Sequence, residues 1–547
     1  GSEMSAAVQR FTSQSLRRAA ATARAQAASP LATRTALRAA SSRSVSVTRG
    51  SSVSMSSNSE PVVYVSKRGA AAPLLLPTYL SDARGVGRFD PVSNPSGVLQ
   101  LSVAENQTLA DLLTPKLREI AATPSSDGEL GLFEKGMIYY QQTHGTADCR
   151  EAVASHMLRV LSRGEYAFDA DKLIIGAGCN AVLENLLFAI ADAGEGVLVP
   201  RPYYAAFEFD LAARADIKVL PLDVRSGGFE AASYYPTKES LEAGYQAAVE
   251  RGITPRALLL SSPNNPLGFC YPEEVLLNCL EWCESKEGMH LISDEIYAGS
   301  VYRETAEGQP PWVSIAAVAA RQERPLGERV HVIWALSKDF ALSGLRVGAL
   351  YTENEAIRTP LQKLNDLCQV GSTTQAMVAR LLSDRMDRGT LLSSGRGASE
   401  HDSDEAEPWA AMMQRENCFF LRERYQRLTA VLDEYSIPYL PGGAGLFLWI
   451  DLRAWLEFQT GGFPAKRDER KAVGIEEAAM GDREAEMERA LYLRLIHEFG
   501  LLLTPGASMR TESPGFFRCV FSAADDTAFE VALERFAKFG ASPRARR

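Results

Sequence analysis

The chain has 547 residues, enough for more than one domain. It is 46% hydrophobic and 23% charged, the balance of an ordinary globular protein. Its net charge of −10 offers no basic stripe for a nucleic-acid backbone, and no apolar run is long enough to cross a bilayer as a helix. Cysteine is sparse, with no Cys-x-x-Cys pair and no Cys/His cluster at zinc spacing, which points to reduced thiols in an intracellular compartment and to no bound metal.

Gly1-Ser2-Glu3 precedes Met4 and reads as a cloning remnant. From Met4 to Asn58 there is no Asp or Glu, while Arg10, Arg17, Arg18, Arg24, Arg34, Arg38, Arg43 and Arg49 are scattered among Ala, Ser and Thr. That composition is expected of a mitochondrial or plastid transit peptide, so residues 1–60 are kept out of the fold; a plain disordered tail has the same look. The body begins near Pro61. Short apolar strands then alternate with amphipathic helices. Leu173–Ala177, Gly196–Pro200, Ala257–Ser262, His290–Ile296 and Val330–Leu336 read as strands; Asn180–Asp192 and Glu273 to about Lys286 read as helices. The alternation predicts an α/β fold with a mostly parallel sheet, helices on both faces, and a site outside the carboxyl ends of the strands. Asp387–Pro408 and Gly461–Glu488 are polar or highly charged and read as surface insertions.

Four strand ends carry candidate chemistry. Gly176-Ala177-Gly178-Cys179-Asn180 is a small-residue turn into a helix, where backbone N–H groups can hold an anion. Cys179 has no His near it in sequence, so packing or a phosphate contact suits it better than a nucleophile's part. Ser262-Pro263-Asn264-Asn265-Pro266-Leu267-Gly268 is a turn under any reading. Ser293-Asp294-Glu295-Ile296-Tyr297 sets an acid at a strand end, where it either caps a helix or faces a cation. Ala335-Leu336-Ser337-Lys338-Asp339 ends an apolar strand in a lysine, with Arg346 eight residues on. A lone lysine there is ordinarily a surface lysine; condensed with an aldehyde, it becomes a functional amine.

Taken in order, these four pieces resemble the fold-type I pyridoxal-phosphate enzymes of the class I/II aminotransferase family, over about Gly97 to Phe536. Val103-Ala104-Glu105-Asn106-Gln107, Arg201-Pro202-Tyr203-Tyr204 and Thr504-Pro505-Gly506-Ala507-Ser508 with Pro514-Gly515-Phe516-Phe517-Arg518 look most like 1-aminocyclopropane-1-carboxylate synthase and its relatives. The resemblance implies a seven-stranded-type cofactor sheet in residues 115–355. It also implies a smaller α+β domain from residues 356–547 with the 61–114 segment, and a homodimer. It implies pyridoxal 5'-phosphate as cofactor, with Lys338 as the Schiff-base lysine and Asp294 facing the ring nitrogen. Asn265 and Tyr297 would hold the phenolic oxygen and Tyr204 would stack on the ring. Gly178, Cys179, Asn180, Ser337 and Arg346 would surround the phosphate. Glu105 and Arg518 would bind the substrate, Arg518 by a guanidinium fork on the α-carboxylate.

Two positions depart from the family pattern. Ala335 stands where a phosphate-binding serine is usual, and Thr143 where a tyrosine reaches the partner subunit. The expected reaction is transfer of an α-amino group to a keto acid. The alternatives are γ-carbon chemistry on a sulfonium amino acid such as S-adenosylmethionine, or a degenerate fold kept as a binding module.

Overall fold

The structure, a computed structural model, describes residues 64–124, 132–133, 136–225, 227–303, 310–384, 408–456 and 481–545. The expected leader and nearly all of the first expected insertion lie outside these residues, as does the second insertion up to residue 480. Residues 482–488 of that second segment are not an irregular insertion. They form the first turns of the helix Asp482–Phe499, whose acidic start suits the positive end of the helix dipole and whose buried face carries Leu491, Tyr492, Leu495 and Ile496. High charge density hid an amphipathic helix there.

Strand β1 (Leu99–Gln100) is followed by β2 (Leu173–Gly176), β3 (Gly196–Pro200), β4 (Lys218–Leu222), β5 (Pro255–Ser261), β6 (His290–Asp294), β7 (Val330–Ala335) and β8 (Gly348–Thr352). The last seven form one sheet in the order β2-β8-β7-β6-β5-β3-β4. All pairings are parallel except those of β8, which runs against both β2 and β7. The five strands expected from sequence are present, each within two residues of its expected ends; β4 and β8 were not foreseen. Runs such as Val330–Ala335, apolar except for His331, are buried at every position, as strands covered on both faces must be.

The second layer system lies later in the chain. Strands β9 (Tyr439–Leu440), β10 (Phe447–Asp451), β12 (Thr504–Pro505) and β13 (Phe516–Val520) form an antiparallel sheet in the order β12-β13-β10-β9. β1 pairs in parallel with β11 (Leu501–Leu502), so the segment before residue 114 is stitched to the C-terminal strands. The 26-residue helix Trp409–Glu434 buries Met412, Met413, Leu421, Leu428 and Leu432 along one stripe. The eight cysteines are all free thiols. Among the described residues, no helix is long and apolar enough to cross a membrane, and no cluster of His, Cys, Asp or Glu could hold a metal ion.

Candidate active site

Adjacent sheet strands deliver the site residues to one end of the sheet. β6 ends at Asp294, β7 at Ala335, and Lys338 follows in the one-turn helix Leu336–Asp339. β5 leads into the turn that holds Asn265, and β2 into Gly178. Arg518 comes from β13, paired opposite Trp449 of β10.

The turn after β2 is built for close approach. Gly178 has φ +96°, where an L side chain is strained, and a Cβ on it would lie 2.3 Å from Arg346 Nη2. Gly348 packs its backbone onto that same turn: a Cβ there would come 2.5 Å from the Gly178 carbonyl carbon. Cys179 begins the helix Cys179–Ile190, so this turn runs straight into a helix N-terminus. Arg346, itself at φ +54°, donates through Nη2 to Asn180 Oδ1 at 2.9 Å and to the Ala177 carbonyl at 3.2 Å. Both Arg346 and Asn180 are exposed, so the group opens to solvent on this side.

Lys338 is partly exposed, yet burial around the amine holds its pKa below the usual lysine value, with Glu105 pulling the other way. Its Nζ donates to the Ala104 carbonyl. Glu105, next in the chain, accepts from Ser343 Oγ at 2.6 Å. Asp294 is 9% exposed. Burial pushes its carboxyl up to about 7, opposed by a long 3.4 Å bond from the Ile296 N–H and by the Lys338 charge. Tyr297 and Tyr204 are raised by burial, and both respond to Asp294 and Arg518, which places the four within electrostatic reach of one another. Burial also raises the Cys179 thiol, so it is no nucleophile at neutral pH.

Arg518 is 1% exposed. Its Nη1 donates to Asn265 Oδ1 at 2.8 Å, and its Nη2 to the Ser102 carbonyl at 2.7 Å and to Thr504 Oγ1 at 3.2 Å. Its Nε has no partner among the described residues. Asn265 therefore serves Arg518 here. Ser337 is buried in the Lys338 turn. Thr143 does not reach the group: its hydroxyl donates to the Gln362 carbonyl at 2.7 Å. Ala335 is wholly buried and caps the Lys338 turn without a side-chain hydrogen bond.

The arrangement thus brings together Lys338, Asp294, Tyr297, Tyr204, Asn265, Arg518, Glu105, Gly178, Cys179, Asn180, Ser337 and Arg346. Sequence reasoning missed Ser343, which holds Glu105, and Asp210. The latter is pushed up to about 7 by burial and then by Asp294. It also missed Ser102, whose carbonyl anchors Arg518. These are contacts between residues far apart in the chain, and no local signal marks them.

These residues fit pyridoxal 5'-phosphate. A buried carboxylate at Asp294 lacks a bound cation, which a pyridinium nitrogen supplies. A side-chain-free cradle at Gly178 lies beside Arg346, which suits a phosphate, and a depressed amine stands at Lys338. The sequence matches the family described as "Aminotransferase class I and II" over residues 97–536. A rice protein, 1-aminocyclopropane-1-carboxylate synthase 3 of Oryza sativa subsp. japonica, is 34% identical over 82% of this chain and 89% of its own. The Arabidopsis thaliana protein 1-aminocyclopropane-1-carboxylate synthase 7 is 32% identical over the same shares. The fold matches the aspartate aminotransferase of Thermotoga maritima with a TM-score of 0.60 at 19% identity, covering 87% of this chain and 100% of that one. It also matches an aromatic aminotransferase of Pyrococcus horikoshii with a TM-score of 0.58 at 18% identity, covering 84% and 98%. The chain therefore belongs to the class I and II aminotransferase family, and is a pyridoxal-phosphate-dependent enzyme of either the aminotransferase or the 1-aminocyclopropane-1-carboxylate synthase kind.

Proposed function

We propose that this enzyme moves the α-amino group of an amino acid to a keto acid, with Lys338 carrying the cofactor and moving the α-proton. The observation that carries this reading is the convergence of a partly exposed amine at Lys338 with a lowered pKa, a buried carboxylate at Asp294 and a buried guanidinium at Arg518. Pyridoxal 5'-phosphate, when bound, supplies an aldehyde for the amine and a ring that accepts the electron pair released at the substrate Cα. Asp294 would hold the ring nitrogen in its cationic form. Tyr297 and Asn265 would hold the phenolic oxygen, Tyr204 would pack against the ring, and the Gly178–Asn180 turn with Ser337 and Arg346 would hold the phosphate. Arg518 would bind the substrate α-carboxylate and so orient the substrate Cα toward Lys338. The Lys338 amine would take the α-proton from the substrate Cα and return it two bonds away, on the far side of the transferred nitrogen.

A second reading is favoured by Glu105, held by Ser343, and by the synthase relatives: γ-carbon chemistry on a sulfonium amino acid. Both share the proton removal at Lys338 and differ in where the released electron pair goes. Incubation of the purified enzyme with amino acids and α-keto acids, against S-adenosylmethionine, separates them. New amino and keto acids support transamination; a cyclopropane amino acid with methylthioadenosine contradicts it. The arginine-rich, acid-free leader supports import into a mitochondrion or plastid. The strand groupings support a cofactor half in residues 115–355 and a smaller half formed by residues 356–547 with the 61–114 segment. Family membership supports a homodimer.

A further inference from the structure

Asp339 follows Lys338 directly and is wholly buried, yet no ion pair to it is found among the described residues. Its carboxylate accepts three hydrogen bonds. Oδ2 takes the Gly299 N–H at 2.8 Å and Trp334 Nε1 at 3.0 Å, and Oδ1 takes Ser300 Oγ at 2.7 Å. Gly299 and Ser300 lie just past Tyr297, on the turn that leaves Asp294. Trp334 is the penultimate residue of β7. The carboxylate therefore clamps the turn carrying Asp294 and Tyr297 to the turn carrying Lys338.

The network extends further. Asn417, wholly buried in the helix Trp409–Glu434, reaches Ser300 Oγ at 3.4 Å and the Asp339 carbonyl at 3.5 Å. Asn417 Oδ1 accepts from Asn106 Nδ2 at 2.8 Å. Asn106 follows Glu105, and Ala104 before it accepts the Lys338 amine. The approach at Gly299 is tight: a Cβ there would lie 2.9 Å from Asp339 Oδ2. Four segments distant in sequence are thus fixed to one another by a buried polar chain, in a region where apolar packing alone would hold them less directionally.

We infer that Asp339 is the positioning residue of this active site: it sets the height of the Lys338 amine relative to Asp294, Tyr297 and the Ala104–Glu105 segment, through Gly299, Ser300, Trp334 and Asn417. It touches neither substrate nor cofactor. A carboxylate is suited to the place because it can accept three donors at once, which no other side chain of that size does. The inference rests on the assignment of Lys338 as the cofactor-bearing amine.

The test uses the holoenzyme and compares Asp339→Asn, Asp339→Ala and Ser300→Ala with a control, Glu353→Gln. Glu353 is also a carboxylate holding a network, through the Gly327 N–H at 2.7 Å and Tyr166 at 2.8 Å, but it lies at the opposite end of the sheet strands. Three quantities are read: kcat, KM, and the pH midpoint of the bound cofactor's visible absorbance. Asp339→Asn should lower kcat at least about 10-fold with KM within about 3-fold, one decade being a small loss of transition-state placement. It should also move the absorbance midpoint, and Ser300→Ala should do the same more weakly. Glu353→Gln should lower only thermal stability. If Asp339→Ala does not fold, the Asn and Ser300 variants carry the test. An unchanged kcat and midpoint in both, or an equal midpoint shift in Glu353→Gln, overturns the inference. Should the parent's visible band survive Lys338→Ala, it is the Lys338 assignment that has failed; a band that depends on Lys338 but ignores Asp339 refutes only the positioning role.

Discussion

Arg518 illustrates how much one buried cation does at the residue scale. Two of its nitrogens donate to Asn265, Ser102 and Thr504, which fix the plane of the guanidinium, and the proposed function asks the same group to hold a substrate carboxylate. A lysine at this position keeps the charge and loses the plane. Arg518→Lys is expected to lower kcat/KM for amino-acid substrates about 100-fold, the loss of one or two charge-assisted hydrogen bonds of about 1.5–3 kcal/mol each. Steady-state kinetics check this, and a change under threefold would contradict it. Ala335 is buried at the start of the Lys338 turn and carries no side-chain hydrogen bond there. Ala335→Ser should tighten the cofactor dissociation constant about 10-fold if the new hydroxyl reaches the phosphate. Equilibrium titration of the apoenzyme measures it; an unchanged constant would show that Ser337 and Arg346 already saturate the phosphate. The strand ends and small-residue turns that carry the expected site residues were legible in the sequence, because local composition marks them. Their supports, Ser343, Ser102 and Asn417, were not, because a hydrogen bond across hundreds of residues leaves no local pattern.

At the scale of elements, the turn between β2 and its helix depends on the absence of a side chain. Gly178→Ala would put a methyl 2.3 Å from the Arg346 guanidinium in a left-handed backbone conformation. The strain, about 1–3 kcal/mol, should appear as a roughly tenfold or greater weakening of cofactor binding. Retention of parental affinity by the alanine variant would argue that the phosphate sits elsewhere. Glu488 makes a different element-level point. Its buried carboxylate accepts the Ala507 and Gly515 N–H groups at 2.7 and 2.8 Å, tying the helix Asp482–Phe499 to the strands that carry Arg518. Burial raises its pKa to about 7 despite those bonds. The folded chain then keeps a proton that the unfolded chain releases near 4.5, so Glu488 erodes stability as pH rises between these values. Glu488→Gln removes that slope. The variant's thermal stability relative to the parent should improve between pH 4.5 and 7.5, by up to on the order of 3 kcal/mol. A gap that stays constant across this range would mean that Glu488 is ionised throughout in the fold. The sequence concealed this helix because its first turns read as a charged insertion, and only the later Leu491, Leu495 and Ile496 reveal the buried stripe.

For the whole molecule, the alternation of apolar strands and helices was enough to predict a mostly parallel sheet, and the expected site residues cluster past the ends of its strands. It could not reveal that β8 runs the other way, since periodicity carries no direction. Nor could it show that β1 pairs with β11, which ties the Ala104–Glu105 segment to the C-terminal strands that bear Arg518. That closure makes the site a product of the entire described chain from residue 99 to residue 518. The account as a whole is tested most directly by the visible absorbance and turnover of the purified enzyme with and without the Lys338 amine. Lys338→Ala is expected to lose the band that reports a cofactor bonded to lysine and to lose turnover on the order of 1,000-fold, as removal of a proton-transferring group does. A variant that keeps both the band and the parental rate would contradict it.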